Sequence, residues 1–322
     1  MKTRSCIALP LLFATLFSPF AALAQVYPAK AVRVVVPWPT GGSNDITARI
    51  VIPKMSEILK EQFVIDNRGG ASGTIGADMV ARSAPDGYTI MVHSLTHITN
   101  AHLYKKLPYD TLNDFTGITA LAGKLYALVV HPTFPVKSVK EFITLAKKRP
   151  GDITYASSGN ATGTHLPMAL LAMMNGIKIT HVPYKGGGPQ VFSLVAGETQ
   201  AGFSTMSEIY GHVQAKRLRL LGIATTERLT QFPGVPTIGE SVPGFQFHGW
   251  NGAFAPRKTP KPIIDKLNAA FKRVLEDPDI ASKFESQALY AMHMTSDQFT
   301  ERLKSDYDTY GKLMREIGVT LD

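Results

Sequence analysis

Five short segments of the sequence combine glycine with serine or threonine directly before a predicted helix. They lie at residues 37–45, 66–76, 93–97, 155–165 and 183–189. The first N–H groups of a helix have no partner within it, and the helix dipole makes that end positive. Such a helix start binds a carboxylate or a phosphate without needing a charged side chain. The segments therefore predict a site for an anion.

Hydroxyl side chains in these segments would add neutral hydrogen-bond donors to such a site. They belong to Thr40, Ser72, Thr74, Ser94, Ser158 and Thr164. Trp38, between two prolines, could stack on a ligand or pack at an interface, and the sequence leaves both open. For one segment alone, glycine in a tight turn and serine or threonine as a helix cap would be a sufficient explanation. Five segments together favour one shared cleft.

Residues that would carry out a reaction are harder to find. His97, His165 and His181 lack metal-binding spacing, so we interpret them as hydrogen-bonded loop residues. Asp45 fits a partner of a helix start better than an acid catalyst. The sequence has no G-x-S-x-G motif and no dinucleotide fingerprint. We expect no catalytic residue, metal or cofactor, although a periplasmic hydrolase stays an alternative because a Ser–His–Asp triad is recognised only by geometry.

Short β-rich runs alternate with helical patterns, which predicts α/β layers. Val32–Val36 is predicted to be a buried strand, and the helix after it should be capped by Ser43 or Asn44. The pattern restarts near Leu125. Residues 229–262 are predicted to be crossing segments and loops, followed by three helices. In open α/β sheets ligands lie beyond the carboxyl ends of strands, where the five segments fall.

The first residues are typical of a secretory signal. A basic start precedes the apolar run 7–17, and Ala22-Leu23-Ala24 fits a cleavage site. We therefore predict a signal peptide at 1–24 and a periplasmic protein. Cys6, the only cysteine, would leave with it, so the mature chain would have no disulfide and no lipid anchor.

The remaining length is too great for one ordinary core and predicts two domains. We place lobe 1 at 25–123 plus 249–322 and lobe 2 at 124–248. The formal charge of +9 is scattered, without an Arg-rich arm or a zinc-finger spacing, so nucleic acid is excluded as a partner. No later apolar run reaches membrane-spanning length. We expect a monomer.

Several longer stretches of the chain follow a known pattern in order. The first includes Pro37-Trp38-Pro39-x-Gly41-Gly42, and the others lie at 67–76, 84–89, 106–110, 155–160, 181–187, 236–240 and 259–263. These stretches resemble the Bug receptors, the substrate-binding proteins of tripartite tricarboxylate transporters. The resemblance implies a two-lobed periplasmic-binding-protein fold, or Venus flytrap, with a ligand cleft between the lobes. It also implies capture of a small carboxylate for inner-membrane transporter subunits, and a membrane sensor as recipient is a further alternative.

The resemblance also implies which residues bind the ligand. Family receptors hold a ligand carboxylate near the first loop and the Ser94 loop, largely through main-chain groups and water. By position, the implied residues are Trp38, Gly41, Gly42 and Ser94 in lobe 1, and Ser158, Gly159, Asn160, Thr164, Ser204 and Thr205 in lobe 2. Many relatives carry an acidic residue near Ser204, and its absence predicts a ligand without an amine, such as a dicarboxylate or an aromatic carboxylate. Contacts from both lobes would stabilise the closed form.

Overall fold

The computed structural model describes residues 27–320. The predicted signal peptide, with its cleavage site and Cys6, lies outside these residues. The described chain is mixed α/β, as predicted. Its elements are β1 Val32–Val36, α1 Ser43–Leu59, β2 Phe63–Asn67, α2 Thr74–Ala81, β3 Thr89–Ser94, α3 Thr96–Leu103, β4 Phe115–Lys124, β5 Tyr126–Val130, α4 Val139–Lys148, β6 Thr154–Ser157, α5 Leu166–Asn175, β7 Thr180–Pro183, α6 Gly187–Ala196, β8 Ala201–Thr205, α7 Met206–Gln214, β9 Arg219–Ile223, β10 Gly249–Pro256, α8 Lys261–Leu275, α9 Pro278–Ser286, β11 Leu289–Ala291 and α10 Ser296–Ile317.

The strands form two separate sheets. The first has the order β11-β4-β10-β3-β1-β2, in which β1 is parallel to β2 and β3 while β10 is antiparallel to both of its neighbours. The second has the order β7-β6-β8-β5-β9. From here on, lobe 1 and lobe 2 denote the parts built on these two sheets. The chain leaves lobe 1 after β4 and returns with β10, while the domain limits along the chain stay a prediction.

β1 shows how the first loop is placed. Four of its five residues are buried valines, as in a strand covered on both faces, and Pro37 follows its last residue. The buried residues Val51 and Met55 of α1 join the same hydrophobic core as Val32, Val34 and Val36. This packing fixes residues 37–42 at the carboxyl end of the strand. The strand bounds and the end of α1 were predicted correctly.

The start of α1 differs from the prediction. Its N-cap is Gly42 in an extended conformation, and no side chain caps the helix. Ser43 and Asn44 lie inside the first turn, so the prediction that one of them caps the helix is wrong.

Two long strands occur where the sequence indicated none. β4 fills 115–124, and β10 occupies part of the predicted loop region 229–262. β10 is buried along its whole length and β4 at every residue except Thr116, and both are rich in small residues, so they show no alternating pattern. The three helices predicted for the C-terminal part are present as α8, α9 and α10. Within residues 27–320, no helix combines the length and apolar character needed to cross a membrane.

Candidate functional site

A small cavity lies between the two lobes where several helix starts meet. Its volume is about 30 Å³, which is room for about two water molecules. We call it the inner cavity. Lobe 1 lines it with Trp38, Gly42, Ser43, Asn44, Ser94, Thr96 and Lys124, and lobe 2 with Tyr126, Ser158, Thr162, Gly163, Thr164, Gly187, Thr205 and Glu208.

Four helices that begin at this cavity lack side-chain caps. Gly42 precedes α1 and Gly186 precedes α6, and neither helix has a hydrogen bond from a capping side chain. α3 and α5 start without one as well. At α5 the N–H groups of Leu166 and Met168 already bond to the carbonyl oxygens of Thr162 and His165. At α1, α3 and α6 the uncapped start leaves N–H groups for a group from outside the helix. The arrangement matches the predicted anion site.

Glu208, at the start of α7, was not among the predicted residues. Its Oε1 accepts a hydrogen bond of 2.9 Å from the N–H of Ser43 in lobe 1. Its Oε2 accepts one of 2.7 Å from the hydroxyl of Thr205. Gly187, the first residue of α6, lies so close that a Cβ there would overlap Oε1. The carboxylate of Glu208 thus lies among the starts of α1, α6 and its own helix.

This position corrects one prediction. We expected no acidic residue near Ser204, yet Glu208 follows it by four residues and lines the inner cavity. The expectation of a ligand without an amine therefore loses its premise. The sequence carried a signal for this helix start, because Thr205-x-x-Glu208 is the pattern of a capping box and that box is formed.

Lys124, the last residue of β4, is the second group that the sequence analysis missed. Its side chain is buried, and Nζ lies 5.6 Å from the centre of the Tyr126 ring. Among the described residues it makes no salt bridge and no hydrogen bond. Burial lowers the pKa of Lys124 to about 8, with Glu208 acting in the opposite direction. A buried ammonium without a hydrogen bond or a salt bridge is costly, so the cavity favours an anion.

A larger cavity opens beside the first one. Its volume is about 800 Å³, and it shares Trp38 and Ser158 with the inner cavity. We call it the outer cavity. Its other walls are Pro39, Asn67, Gly69, Gly70, Ala71, Ser72, Ile75, Tyr104, Gly159, Asn160, Pro183, Tyr184, Lys185 and Gly186. The five segments predicted to converge therefore meet at these two cavities.

Direct hydrogen bonds join the lobes around both cavities. The hydroxyl of Ser72 donates to the carbonyl oxygen of Asn160 at 3.2 Å, and the hydroxyl of Thr99 donates to that of Ala161 at 2.8 Å. The bond between Ser43 and Glu208 is the third. The cleft is closed in this structure.

The structure brings most of the predicted binding residues to these cavities. Trp38, Gly42, Ser94, Ser158 and Thr164 line the inner cavity, and Ser72 and Asn160 line the outer one. Trp38 also packs in the core of lobe 1, where its Nε1–H donates to Nδ1 of His93 at 3.4 Å. Their role in binding stays a prediction.

Four predicted residues lie outside both cavities, and one of them is Thr74, the buried first residue of α2. Thr40 and Gly41 are exposed, and the N–H of Gly41 donates to the carboxylate of Asp45 at 2.9 Å. Ser204 is fully buried in lobe 2, where its hydroxyl accepts a hydrogen bond of 3.0 Å from Gln190. Existing hydrogen bonds thus hold the last two away from the cleft.

Asp45 is a partner of the helix start, as predicted. Besides Gly41, its carboxylate accepts hydrogen bonds from Arg49 at 2.8 Å and from Asn67 at 3.0 Å. Burial disfavours the ionised form, but these hydrogen bonds outweigh it and hold the pKa of Asp45 below its usual value. The charge of Asp45 is therefore used within lobe 1 and is not directed at a substrate.

The arrangement closest to a catalytic site is a Ser–His pair. The hydroxyl of Ser157 and Nε2 of His181 share a hydrogen bond of 2.6 Å. Ser157 is fully buried, and the His181 ring stacks on His165 at 4.0 Å between ring centres. Burial lowers the pKa of His181 to about 4. Among the described residues no carboxylate hydrogen-bonds to His181, so the hydrolase alternative finds no triad in this part of the chain.

The other histidines are held by hydrogen bonds. Nε2 of His97 contacts the carbonyl oxygen of Thr111 at 3.2 Å, and Nδ1 of His165 accepts the N–H of Ala161 at 3.0 Å. His97 lies in α3 and His181 in β7, so the prediction that both are loop residues is wrong. Within residues 27–320, no group of three or more possible ligands could hold a metal ion.

The sequence of the chain matches a known family of receptors. A family model described as "Tripartite tricarboxylate transporter family receptor" matches residues 47–319. The chain belongs to this family. Protein BugT of Bordetella pertussis is 32% identical over 301 residues, which are 92% of either chain. The chain is thus a Bug-type receptor, as its sequence motifs predicted.

Solved structures of relatives share the fold. The R. palustris protein Rpa4515 with adipate has a TM-score of 0.89 and 30% identity, covering 92% of this chain and 100% of its own. MatC from Rhodopseudomonas palustris with bound malate has a TM-score of 0.84 and 30% identity, covering 89% of this chain and 99% of its own. These likenesses confirm the predicted two-sheet periplasmic-binding-protein fold.

Proposed function

We propose that the chain is the periplasmic receptor of a tripartite tricarboxylate-type transporter and captures a small organic carboxylate without acting on it chemically. The observation that carries the proposal is the composition of the inner cavity. The uncapped start of α1 in lobe 1, hydroxyl groups of Ser158 and Thr164 in lobe 2 and the buried Lys124 all line it. A carboxylate there would contact both lobes, so it would stabilise the closed form over an open one.

We propose a dicarboxylate or an aromatic carboxylate as the ligand. Both solved relatives described above hold a dicarboxylate, adipate or malate. One carboxylate would lie at the inner cavity. The rest of the ligand would extend toward the outer cavity, where Trp38, Tyr104 and Tyr184 offer aromatic walls. Because the closed inner cavity holds only about 30 Å³, the lobes would have to separate before such a ligand enters.

Export and the partners follow from the same proposal. A cleaved signal peptide would release the mature chain, residues 25–322, into the periplasm as a monomer without a lipid anchor. Loaded and closed, it would deliver the ligand to inner-membrane transporter subunits. The support for this part is family membership together with the apolar N-terminal segment of the sequence.

Thermal unfolding of the mature protein against a panel of carboxylates tests the proposal. The panel contains tricarboxylates, dicarboxylates of four to six carbons, aromatic acids and acidic amino acids. A ligand present at 100 times its Kd should add about 2.7 kcal/mol to the free energy of unfolding. We expect a clear rise in Tm with one class and recovery of the ligand unchanged.

Two results would contradict the proposal. One is the absence of any shift in protein shown by mass spectrometry to carry no ligand beforehand. The other is chemical conversion of the bound acid during incubation, which would favour an enzyme. If the purified protein has a raised Tm before any acid is added, it carries a ligand already. It would then be denatured, freed of that ligand and refolded before the panel is repeated.

A further inference from the structure

The inner cavity already contains a carboxylate that belongs to the protein. Glu208 Oε1 accepts the N–H of Ser43 across the boundary between the lobes. Ser43 is the first residue of α1, so this N–H is one of the donors that would meet a ligand carboxylate. Glu208 therefore occupies the place that the proposed function gives to the ligand.

Two other groups at this cavity, Asn44 Oδ1 and the ammonium group of Lys124, make no hydrogen bond and no salt bridge in the described part of the chain. The side chain of Asn44 is buried with only 6% of the residue exposed, and its Oδ1 makes no hydrogen bond. Lys124, equally buried, faces the cavity without a salt bridge. Buried polar groups are normally satisfied, so unsatisfied groups around one cavity indicate an occupant that brings its own partners.

We propose that Glu208 is a built-in competitor for the ligand. In the empty receptor it occupies the anion site at the start of α1 and holds the lobes together. An entering ligand carboxylate displaces it, takes the N–H of Ser43 and pairs with the ammonium group of Lys124. This inference rests on the proposed function, because it assigns roles within the same cleft.

The exchange has a consequence for affinity. A receptor that must first open and release Glu208 binds its ligand more weakly than its contacts alone would allow, in proportion to the fraction that is open. Glu208 and the ligand carboxylate also carry the same charge, so both cannot remain against the start of α1. The positive charge of Lys124 then favours an anion as the group that replaces Glu208.

Two variants weaken the contact of Glu208 with the start of α1 by different means. Glu208→Gln removes the charge, while glutamine also serves at this position of a capping box, so α7 keeps its start. Gly187→Ala keeps the charge but places a methyl group where Oε1 lies. Glu285→Gln, at an exposed position of α9, is the matched control.

Small-angle X-ray scattering of the ligand-free proteins would measure their radius of gyration, and calorimetric titration would measure the Kd for adipate. We expect both variants to be more extended than the wild type and to bind adipate about tenfold more tightly, the factor that one charge-assisted hydrogen bond represents. Lys124→Met should weaken adipate binding by about 30-fold or more. Lys283→Met, at an exposed position of α9, should leave the Kd unchanged.

The outcomes separate the two proposals. If Glu208→Gln stays as compact as the wild type, or binds adipate no more tightly, the competitor role is overturned. If the wild type binds no carboxylate of the panel, the proposed function fails, and the role of Glu208 is then judged by scattering alone. In that case opening of both variants would support Glu208 as the group that holds the lobes together, and unchanged compactness would overturn it.

Discussion

Two helices that start at the cleft, α1 and α6, and three that start on the outer surface, α4, α9 and α10, begin in different ways. On the outer surface, α4 begins after Ser138, whose hydroxyl accepts the N–H of Glu141 at 3.1 Å. α9 and α10 likewise begin with capping side chains, from Asp277 and Thr295. At the cleft, α1 and α6 begin after glycines and have no such cap.

The difference shows which helix starts keep N–H groups that can bind an anion. A side-chain cap satisfies the first N–H groups within the helix's own segment and contributes about 1 kcal/mol to stability. An uncapped start forgoes this contribution but leaves its N–H groups for an anion from elsewhere. At α1 that anion is Glu208 of the other lobe. The uncapped helix starts at the cleft therefore lack the stability of a local cap and keep N–H groups for binding.

The largest expected effect comes from giving α1 a cap of the outer type. Gly42 has an ordinary extended conformation, and a Cβ there would have no contact below 3.6 Å, so Gly42→Asp fits the backbone. Its carboxylate would cap α1 locally and repel both Glu208 and a ligand. We expect the Kd for the best panel ligand to rise by about 100-fold or more, because like charges placed together cost several kcal/mol. Titration calorimetry measures this change.

Ser138→Asp is the control for that variant. It places the same charge at the start of α4, where a cap already exists, and should leave the Kd unchanged. A Gly42→Asp protein that folds and binds normally would show that the start of α1 takes no part in binding.

The next effect concerns the stability cost of the cleft. Lys124→Met removes a buried cation that has no hydrogen bond and no salt bridge among the described residues. Lowering a lysine pKa from 10.5 to about 8 corresponds to about 3 kcal/mol, so we expect the free energy of unfolding of the ligand-free protein to rise by roughly that amount at pH 7. Urea unfolding measures it, with Lys283→Met as the exposed control.

The pH dependence of this gain gives a sharper test. The folded protein releases the Lys124 proton near pH 8 and the unfolded chain near pH 10.5, so wild-type stability rises relative to the variant across that window. The gain should be complete below pH 8 and small at pH 10.5. Glu208 from α7, His93 from β3 and Tyr126 from β5 are the other titratable groups here. Burial lowers the pKa of His93 and raises that of Tyr126, so neither should change charge within the window.

The smallest effect is expected on the outer surface. Ser138→Ala removes the cap of α4 and should lower the free energy of unfolding by about 1 kcal/mol. The Kd for the panel ligand should not change, since α4 is remote from both cavities. A change in Kd comparable with that of Gly42→Asp would remove the distinction between the two kinds of helix start.

Elements with strong local signals were predictable. The valine run of β1, the cap of α4 by Ser138 and the three C-terminal helices each follow from neighbouring residues alone. β4 was missed because small and polar residues interrupt its apolar ones, so the sequence shows no alternating pattern there. The pattern was predicted to restart near Leu125, but only the tertiary structure shows that β4 and β5 belong to different sheets.

Local sequence patterns predicted only part of the candidate site as well. Trp38, Gly42, Ser94, Ser158 and Thr164 were predicted because glycine and hydroxyl residues before a helix are visible as a local pattern. Thr40 and Gly41 share that pattern yet lie outside the cavities, since a loop pattern does not tell which side of the loop faces the cleft.

The sequence by itself determined the α/β class, the family and the recurrence of anion-binding helix starts, because these depend on short patterns and ordered motifs. The tertiary structure alone decided that Lys124 and Glu208 meet those starts. They stand 84 positions apart and come from different lobes, and Glu208 contacts Ser43, which is 165 positions away in the chain. Burial, charge pairing and lobe contact arise only when such distant segments pack together, so no local pattern could have placed them.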